Sequence, residues 1–225
     1  MAGFPGVESA QRKRGRPRDE QRQVQREQEI LDAAVRLFAR HGYAETDVES
    51  VAHELGLGKG TIYRYFPSKR DLFQAALNRS MTGLTEAVDE RVAPIVDPIE
   101  RMVQAIYAFL AYFERHPELA DLFVQELGQF KGESKPVYFA HHEATCGPWR
   151  EMFERLLAAG RVRDIPSADD HNVMLDLLYG TVLANRFTGR SHAYKTQAKT
   201  IVDLFFHGLL SDSERERRRQ MERSL

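Results

Sequence analysis

From about Glu20 to Leu210 apolar residues recur every three or four positions and never alternate, which confines the chain to helices. Ile30, Ala34, Leu37, Phe38 and His41 fall on one helical face, with Leu31 and Val35 beside them, and Gly42 follows as a stop. Leu72, Phe73, Ala76, Leu77, Met81, Leu84, Val88 and Val92 make a longer stripe that closes at Pro94. A further helix is expected from Pro98 to Arg115, then one from Glu118 to Leu127 with Gly128 and Gly132 as punctuation. The next runs from Ser134 to Ala159, interrupted at Gly147-Pro148. Two apolar helices, Asp170 to Arg186 and Ala193 to Leu210, complete an all-α fold. No internal repeat is present in the sequence.

Composition narrows the function. One cysteine in 225 residues excludes an internally disulfide-stapled scaffold and suits a reducing compartment. The longest uncharged apolar stretch, Met102 to Phe113, is too short to span a bilayer, and no apolar segment follows the early basic run as in a secretory leader. A cytoplasmic protein without a membrane partner is expected. The net charge of −1 hides an asymmetry: residues 1–80 carry +3 and residues 81–225 carry −4. A basic front end on a mildly acidic body points towards nucleic acid at the N-terminus. The sequence contains no phosphate-binding loop, no Gly-x-Ser-x-Gly, no His-Glu-x-x-His and no dinucleotide fingerprint, so an enzyme is not expected, nor a cofactor.

Asp47 to Phe66 has the grammar of a helix-turn-helix. Asp47 caps a short helix from Val48 to Leu55, Gly56 and Gly58 bracket Leu57 in a tight turn, and a second short helix runs from Lys59 to Phe66 before Pro67. Val48, Val51, Ala52, Leu57 and Ile62 take the buried positions. Ser68 then caps the next helix, with Asp71 at the capping-box position. In such a motif the second helix enters the major groove, which directs Lys59, Gly60, Thr61, Tyr63 and Arg64 towards DNA. Lys59 and Arg64 suit phosphates or guanine edges, Thr61 a phosphate or a thymine methyl, and the Tyr63 and Tyr65 hydroxyls the backbone.

Residues 26–80 resemble the DNA-binding domain of the TetR/AcrR family of bacterial transcriptional regulators. The resemblance rests on the run from Val51 to Phe73, Val-Ala-His-Glu-Leu-Gly-Leu-Gly-Lys-Gly-Thr-Ile-Tyr-Arg-Tyr-Phe-Pro-Ser-Lys-Arg-Asp-Leu-Phe, together with Leu37-Phe38, Gly42-Tyr43 and Thr46. It implies an N-terminal three-helix DNA-binding domain and a C-terminal helical ligand-binding and dimerisation domain. It further implies a homodimer with two DNA-reading heads. Phosphate contacts would come from Thr46, Tyr63, Tyr65 and Lys69, with Lys59, Gly60, Thr61 and Arg64 facing the groove. Gly58 stands where the family often has serine, so a side-chain oxygen is missing there. The division this implies is a basic arm over residues 1–19, a DNA-binding domain over 20–67, an effector-binding and dimerisation domain over 68–210, and a charged tail over 211–225.

Residues 1–19 lack apolar periodicity and are expected to be disordered. Within them Lys13-Arg-Gly-Arg-Pro-Arg18 resembles the core of an AT-hook, and Arg14 and Arg16 are its candidates for a narrow A·T-rich minor groove. This arm supports an alternative reading, an architectural protein of A·T-rich DNA. In the body, residues 98–160 are dense in aromatics. Tyr107, Tyr112, Tyr138, His142 and Trp149 carry polar handles suited to an amphipathic small-molecule effector. His141, His142, Glu143 and Cys146 raise a metal site, but two ligands on one helix do not make one, so no metal is expected. The last two helices present Leu177, Leu178, Val182, Phe205 and Leu209 as a candidate dimer seam, with Gly180 allowing close approach.

Overall fold

The computed structural model describes residues 16–130, 132, 135–162, 170–190 and 193–208. Ten helices and no strand occur among the described residues: α1 (Arg16–Glu45), α2 (Val48–Glu54), α3 (Lys59–Tyr65), α4 (Lys69–Val92), α5 (Pro98–Arg115), α6 (Glu118–Gln129), α7 (Val137–Thr145), α8 (Gly147–Ala158), α9 (Asp170–Thr188) and α10 (Tyr194–His207).

Helix α1 begins at Arg16, earlier than the disordered arm expected over residues 1–19. Pro17 has the fixed φ that a first helical turn requires. Residues 1–15, Arg14 among them, lie outside the described residues. Gly42 ends the regular helix at φ 85°, ψ 161°, a conformation that only glycine adopts without strain. The short helices start where expected. Asp47 accepts from the Glu49 amide at 2.9 Å, and Ser68 accepts from the Asp71 amide at 3.1 Å while its hydroxyl donates to Asp71 Oδ2 at 2.7 Å.

Helix α4 is the spine. Its 24 residues rise about 36 Å. The first half buries Leu72, Phe73, Ala76 and Leu77 against α1, and the rest packs on α5 and α7. One continuous apolar core therefore runs from Ile30 and Phe38 through Phe73 to Phe113, Leu122 and Ile201. The boundary expected after residue 67 falls within this packing, since the first turns of α4 share one core with α1, α2 and α3.

Two other expectations change and one is met. Gly128 does not stop α6, which continues to Gln129 and carries Phe130 onto Tyr43 and Phe73, with ring centroids 4.9 and 5.8 Å away. Tertiary burial outweighs the roughly 1 kcal/mol helix penalty of glycine. The interruption expected at Gly147-Pro148 is present: α7 ends at Thr145 and α8 opens at Gly147, with Cys146 between them, and the segment starts at Val137 rather than Ser134. Helix α10 ends at His207, with Gly208 at φ 75°, short of the expected Leu210.

The candidate seam also divides. Leu178 and Val182 are buried in the protomer core, while Leu177 is exposed and Phe205 half-buried; Leu209 lies outside the described residues. Adjacent helical positions are about 100° apart, so Leu177 and Leu178 cannot share one face. The outward stripe of α9 is instead Val173, Leu177, Gly180, Ala184 and Phe187, with Val173 58% and Phe187 70% exposed.

Candidate nucleic-acid interface and effector cavity

The head is organised around Ile62. It is the buried residue of α3 and is wholly inaccessible. Val48, Val51 and Ala52 of α2 pack in the same core. The turn between the helices is closed by backbone bonds, Gly56 N to the His53 carbonyl at 3.1 Å and Leu57 N to the Ala52 carbonyl at 2.8 Å. Gly56 takes φ 64° and Leu57 is half-buried against the core. Gly58 opens α3 without a side-chain cap.

With Ile62 inward, Lys59, Gly60, Tyr63 and Arg64 stand outward, and Thr61 and Tyr65 flank them half-buried. Nothing lies within 4 Å of a Cβ built on Gly60, so the backbone there is open to close approach. Lys59 Nζ lies 3.3 Å from Asp47 Oδ1 and 3.7 Å from Glu49 Oε2. Its hydrogen bond with Asp47 raises the Lys59 pKa. The Glu49 amide first, then Lys59, holds the Asp47 carboxyl below its ordinary value. The Arg64 guanidinium lies 5.6 Å from the Tyr65 ring centroid.

Lys69 sits at the first turn of α4, next to this surface. Its ammonium donates to the Ala44 carbonyl at 2.9 Å and lies 4.7 Å over the Tyr43 ring, which fixes it beside the end of α1. Thr46 departs from expectation. It is buried, and its hydroxyl donates to the carbonyls of Gly42 at 2.7 Å and Leu37 at 3.3 Å. That side chain locks the α1–α2 corner, and its hydroxyl hydrogen is already given to these carbonyls. Of the two arginines singled out in the arm, the backbone of Arg16 is placed, at the start of α1, and Arg14 lies outside the described residues. Further along α1, Val24 lines a groove with Tyr112 and His116, so the helix enters the head from the side of the body.

The five candidate pocket residues are not brought together. Trp149 lines a cavity of about 500 Å³ between the α4–α5 turn and α8, with Arg101, Met152, Arg155 and Leu156. Tyr112 lines the separate groove along α1, and its hydroxyl donates to the Ser80 carbonyl at 3.3 Å. Tyr138 is packed in an aromatic cluster, 4.3 Å from Tyr179 and 5.6 Å from Phe123, and burial pushes its hydroxyl up to about 12. Tyr107 packs half-buried against the core, and His142 stacks beside Tyr138 at 6.3 Å. Burial and the charge of His142 lower the pKa of His141, whose Nε2 lies 2.9 Å from Thr85 Oγ1 of α4. Cys146 is buried, its thiol 3.7 Å from the Glu143 carbonyl and 3.9 Å from the Arg150 guanidinium. No group of three or more His, Cys, Asp or Glu able to hold a metal is present among the described residues. None of their helices is long and apolar enough to cross a membrane.

Two positions that join the elements escaped the sequence reading. Gln125 of α6 donates to the Phe38 carbonyl at 2.9 Å and so ties the body to the head. Glu126 is buried and accepts from the Val137 amide at 2.7 Å, fixing the start of α7, while its Oε2 has no partner among the described residues. Burial raises its pKa, against the pull of the Val137 and Tyr138 amides. A carboxylate on the apolar spacing Leu119, Leu122, Glu126, Phe130 was the legible signal for it.

Residues 30–76 match the profile described as "Bacterial regulatory proteins, tetR family". The chain is similar to the transcriptional repressor AcnR of Corynebacterium diphtheriae, 28% identical over 159 residues, which span 70% of this chain and 79% of that protein. Other curated relatives are matched over 52% to 61% of their length. Among solved structures, the fatty acid degradation regulator FadR from Bacillus halodurans superposes with a TM-score of 0.73 at 20% identity, covering 81% of this chain and 95% of that one. FadR from Bacillus subtilis, solved in complex with stearoyl-CoA, gives 0.65 at 19% identity, covering 81% and 99%. At these identities the structural likeness shows the fold, an N-terminal helix-turn-helix head on a helical body.

Proposed function

We propose that this chain is a ligand-responsive transcriptional repressor of the tetR family of bacterial regulatory proteins, one that binds a palindromic operator as a homodimer. The observation that carries the reading is α3 itself. Ile62 alone of α3 is buried, so Lys59, Gly60, Tyr63 and Arg64 form an exposed basic face with Lys69 fixed beside it. On DNA, Lys59 exchanges its exposed pairing with Asp47 and Glu49 for a phosphate or a base edge. Such exposed pairs are weak, so the exchange costs little.

The dimer forms through α9 and α10. The stripe Val173, Leu177, Gly180, Ala184 and Phe187, with Leu204 of α10, is apolar and unpaired in one protomer. Gly180 has nothing within 4 Å of its Cβ direction, which lets a second copy approach about a two-fold axis. Release of DNA follows from a population shift. An effector held in the body favours a head spacing that no longer fits two successive major grooves. Helix α4, running from Lys69 to the cavity at Asp89, and α6, through Gln125 and Phe130, link body to head. The architectural reading rests on the sequence of the arm alone, and Arg14 lies outside the described residues.

The test is a genomic DNA selection with the full chain at physiological salt. Enrichment of a palindrome with half-sites about one helical turn apart is expected. Tyr63→Ala weakens binding to all sequences alike, whereas Lys59→Ala and Arg64→Ala also change base preference. Enrichment of A·T-rich DNA without a palindrome overturns the reading.

A further inference from the structure

The cavity between the α4–α5 turn and α8 has an apolar wall, formed by Val96, Pro98, Met152 and Leu156, with Trp149 supplying a flat aromatic face. Three arginines also line it. Arg161 is committed to Asp97 at 2.8 Å, which caps α5. Arg101 and Arg155 make no ion pair among the described residues, and Arg101 Nε is buried with no acceptor. A guanidinium stays charged in a protein and carries five donors, so the buried Arg101 Nε is an unmet demand for an acceptor, while the exposed Arg155 is free to turn towards the same ligand. Asp89 and Glu151 also reach the cavity, but both are exposed to water and neither pairs with these arginines. About 500 Å³ accommodates a drug-sized molecule.

We propose that this cavity binds an amphipathic organic anion, its carboxylate or phosphate head held by Arg101 and Arg155 and its apolar body laid against Trp149, Met152 and Leu156. The inference rests on the effector-controlled reading above and names the chemical class of the effector. Drawing α8 towards the start of α5 bears on the end of α4. Helix α7, joined to α4 through His141 and Thr85, carries the same displacement.

Trp149 is the only tryptophan of the chain, so its fluorescence reports on this cavity alone. The full chain is titrated below the micellar range with dodecanoate, dodecyl phosphate, dodecanol and dodecyltrimethylammonium. The two anions are expected to give saturable changes at concentrations about tenfold or more below dodecanol, the ammonium none, and the better anion identifies the head group. Arg155→Gln, a change at an exposed position, weakens the anions about tenfold and leaves dodecanol unchanged; Arg101→Lys retains part of the preference that Arg101→Gln loses. Dodecanol binding as tightly as dodecanoate overturns the proposal, as does unchanged anion binding in both glutamine variants. Operator binding is followed in parallel. Arginine-dependent binding at Trp149 that leaves the operator complex intact supports the site and overturns effector release. Release without a change at Trp149 supports effector release and overturns this cavity as its site.

Discussion

Phe130 is the side chain through which the body grips the head, and replacing it with alanine isolates that contact. The residue closes α6 and is 8% exposed. Its ring meets Tyr43 edge-on at 4.9 Å and Phe73 at 5.8 Å, and the Arg70 guanidinium lies 4.7 Å over it. Buried Phe→Ala substitutions cost about 3–5 kcal/mol in transfer and cavity terms, and a position at a helix end can relax, which places this one near 3 kcal/mol. The aromatic pairs are part of that figure, at about 0.5–1.5 kcal/mol each. For a chain of this size each kcal/mol lowers the melting temperature by about 2–4 °C, so a fall of roughly 6–12 °C is expected. Thermal unfolding followed by circular dichroism at 222 nm reads it directly. Phe130→Leu keeps most of the apolar volume and should lose less than about 1.5 kcal/mol. An alanine variant melting within 2 °C of the parent protein refutes the claim that this contact couples the two parts.

Three further outcomes follow from single residues. Because burial raises the Glu126 pKa, the folded chain holds that proton more firmly than the unfolded chain, and the wild type loses stability as pH climbs from the ordinary carboxylate value of 4.5 through the raised one. Glu126→Gln removes this loss, so its melting-temperature advantage should grow with pH across that window and vanish below it; an advantage that shrinks as pH rises contradicts the assignment. Gly42→Ala meets no neighbour within 4 Å, so its cost is purely that of the backbone at φ 85°, about 1–3 kcal/mol, and an unchanged melting curve refutes it. Phe187→Glu places a charge in the proposed seam and should convert dimer to monomer in light scattering, with α-helical content unchanged in circular dichroism; a dimer that persists moves the seam elsewhere.

Local chemistry alone determined the small elements of the proposed DNA-reading head. Asp47, Gly58, Ser68 and Pro67 delimit α2 and α3 through caps and fixed dihedrals that act within four residues, and the spacing of Val48, Val51, Ala52 and Ile62 turns the basic face of α3 outward without outside help. Such signals survive in a sequence because each is paid for where it is written. Where an apolar residue had two faces or partners to choose from, only the tertiary structure decided. Leu177 and Leu178 look alike in sequence, yet one is exposed and the other buried. Gly128 reads as a stop and is overridden, because extending α6 buries Phe130 on Tyr43 and Phe73. Thr46 reads as a surface hydroxyl and is spent on two carbonyls at a corner. Arg101 and Arg155 stand 54 positions apart and meet one cavity only because α8 folds back across the start of α5. Long-range burial and the pairing of distant charges are properties of the assembled core, so no window of sequence contains them.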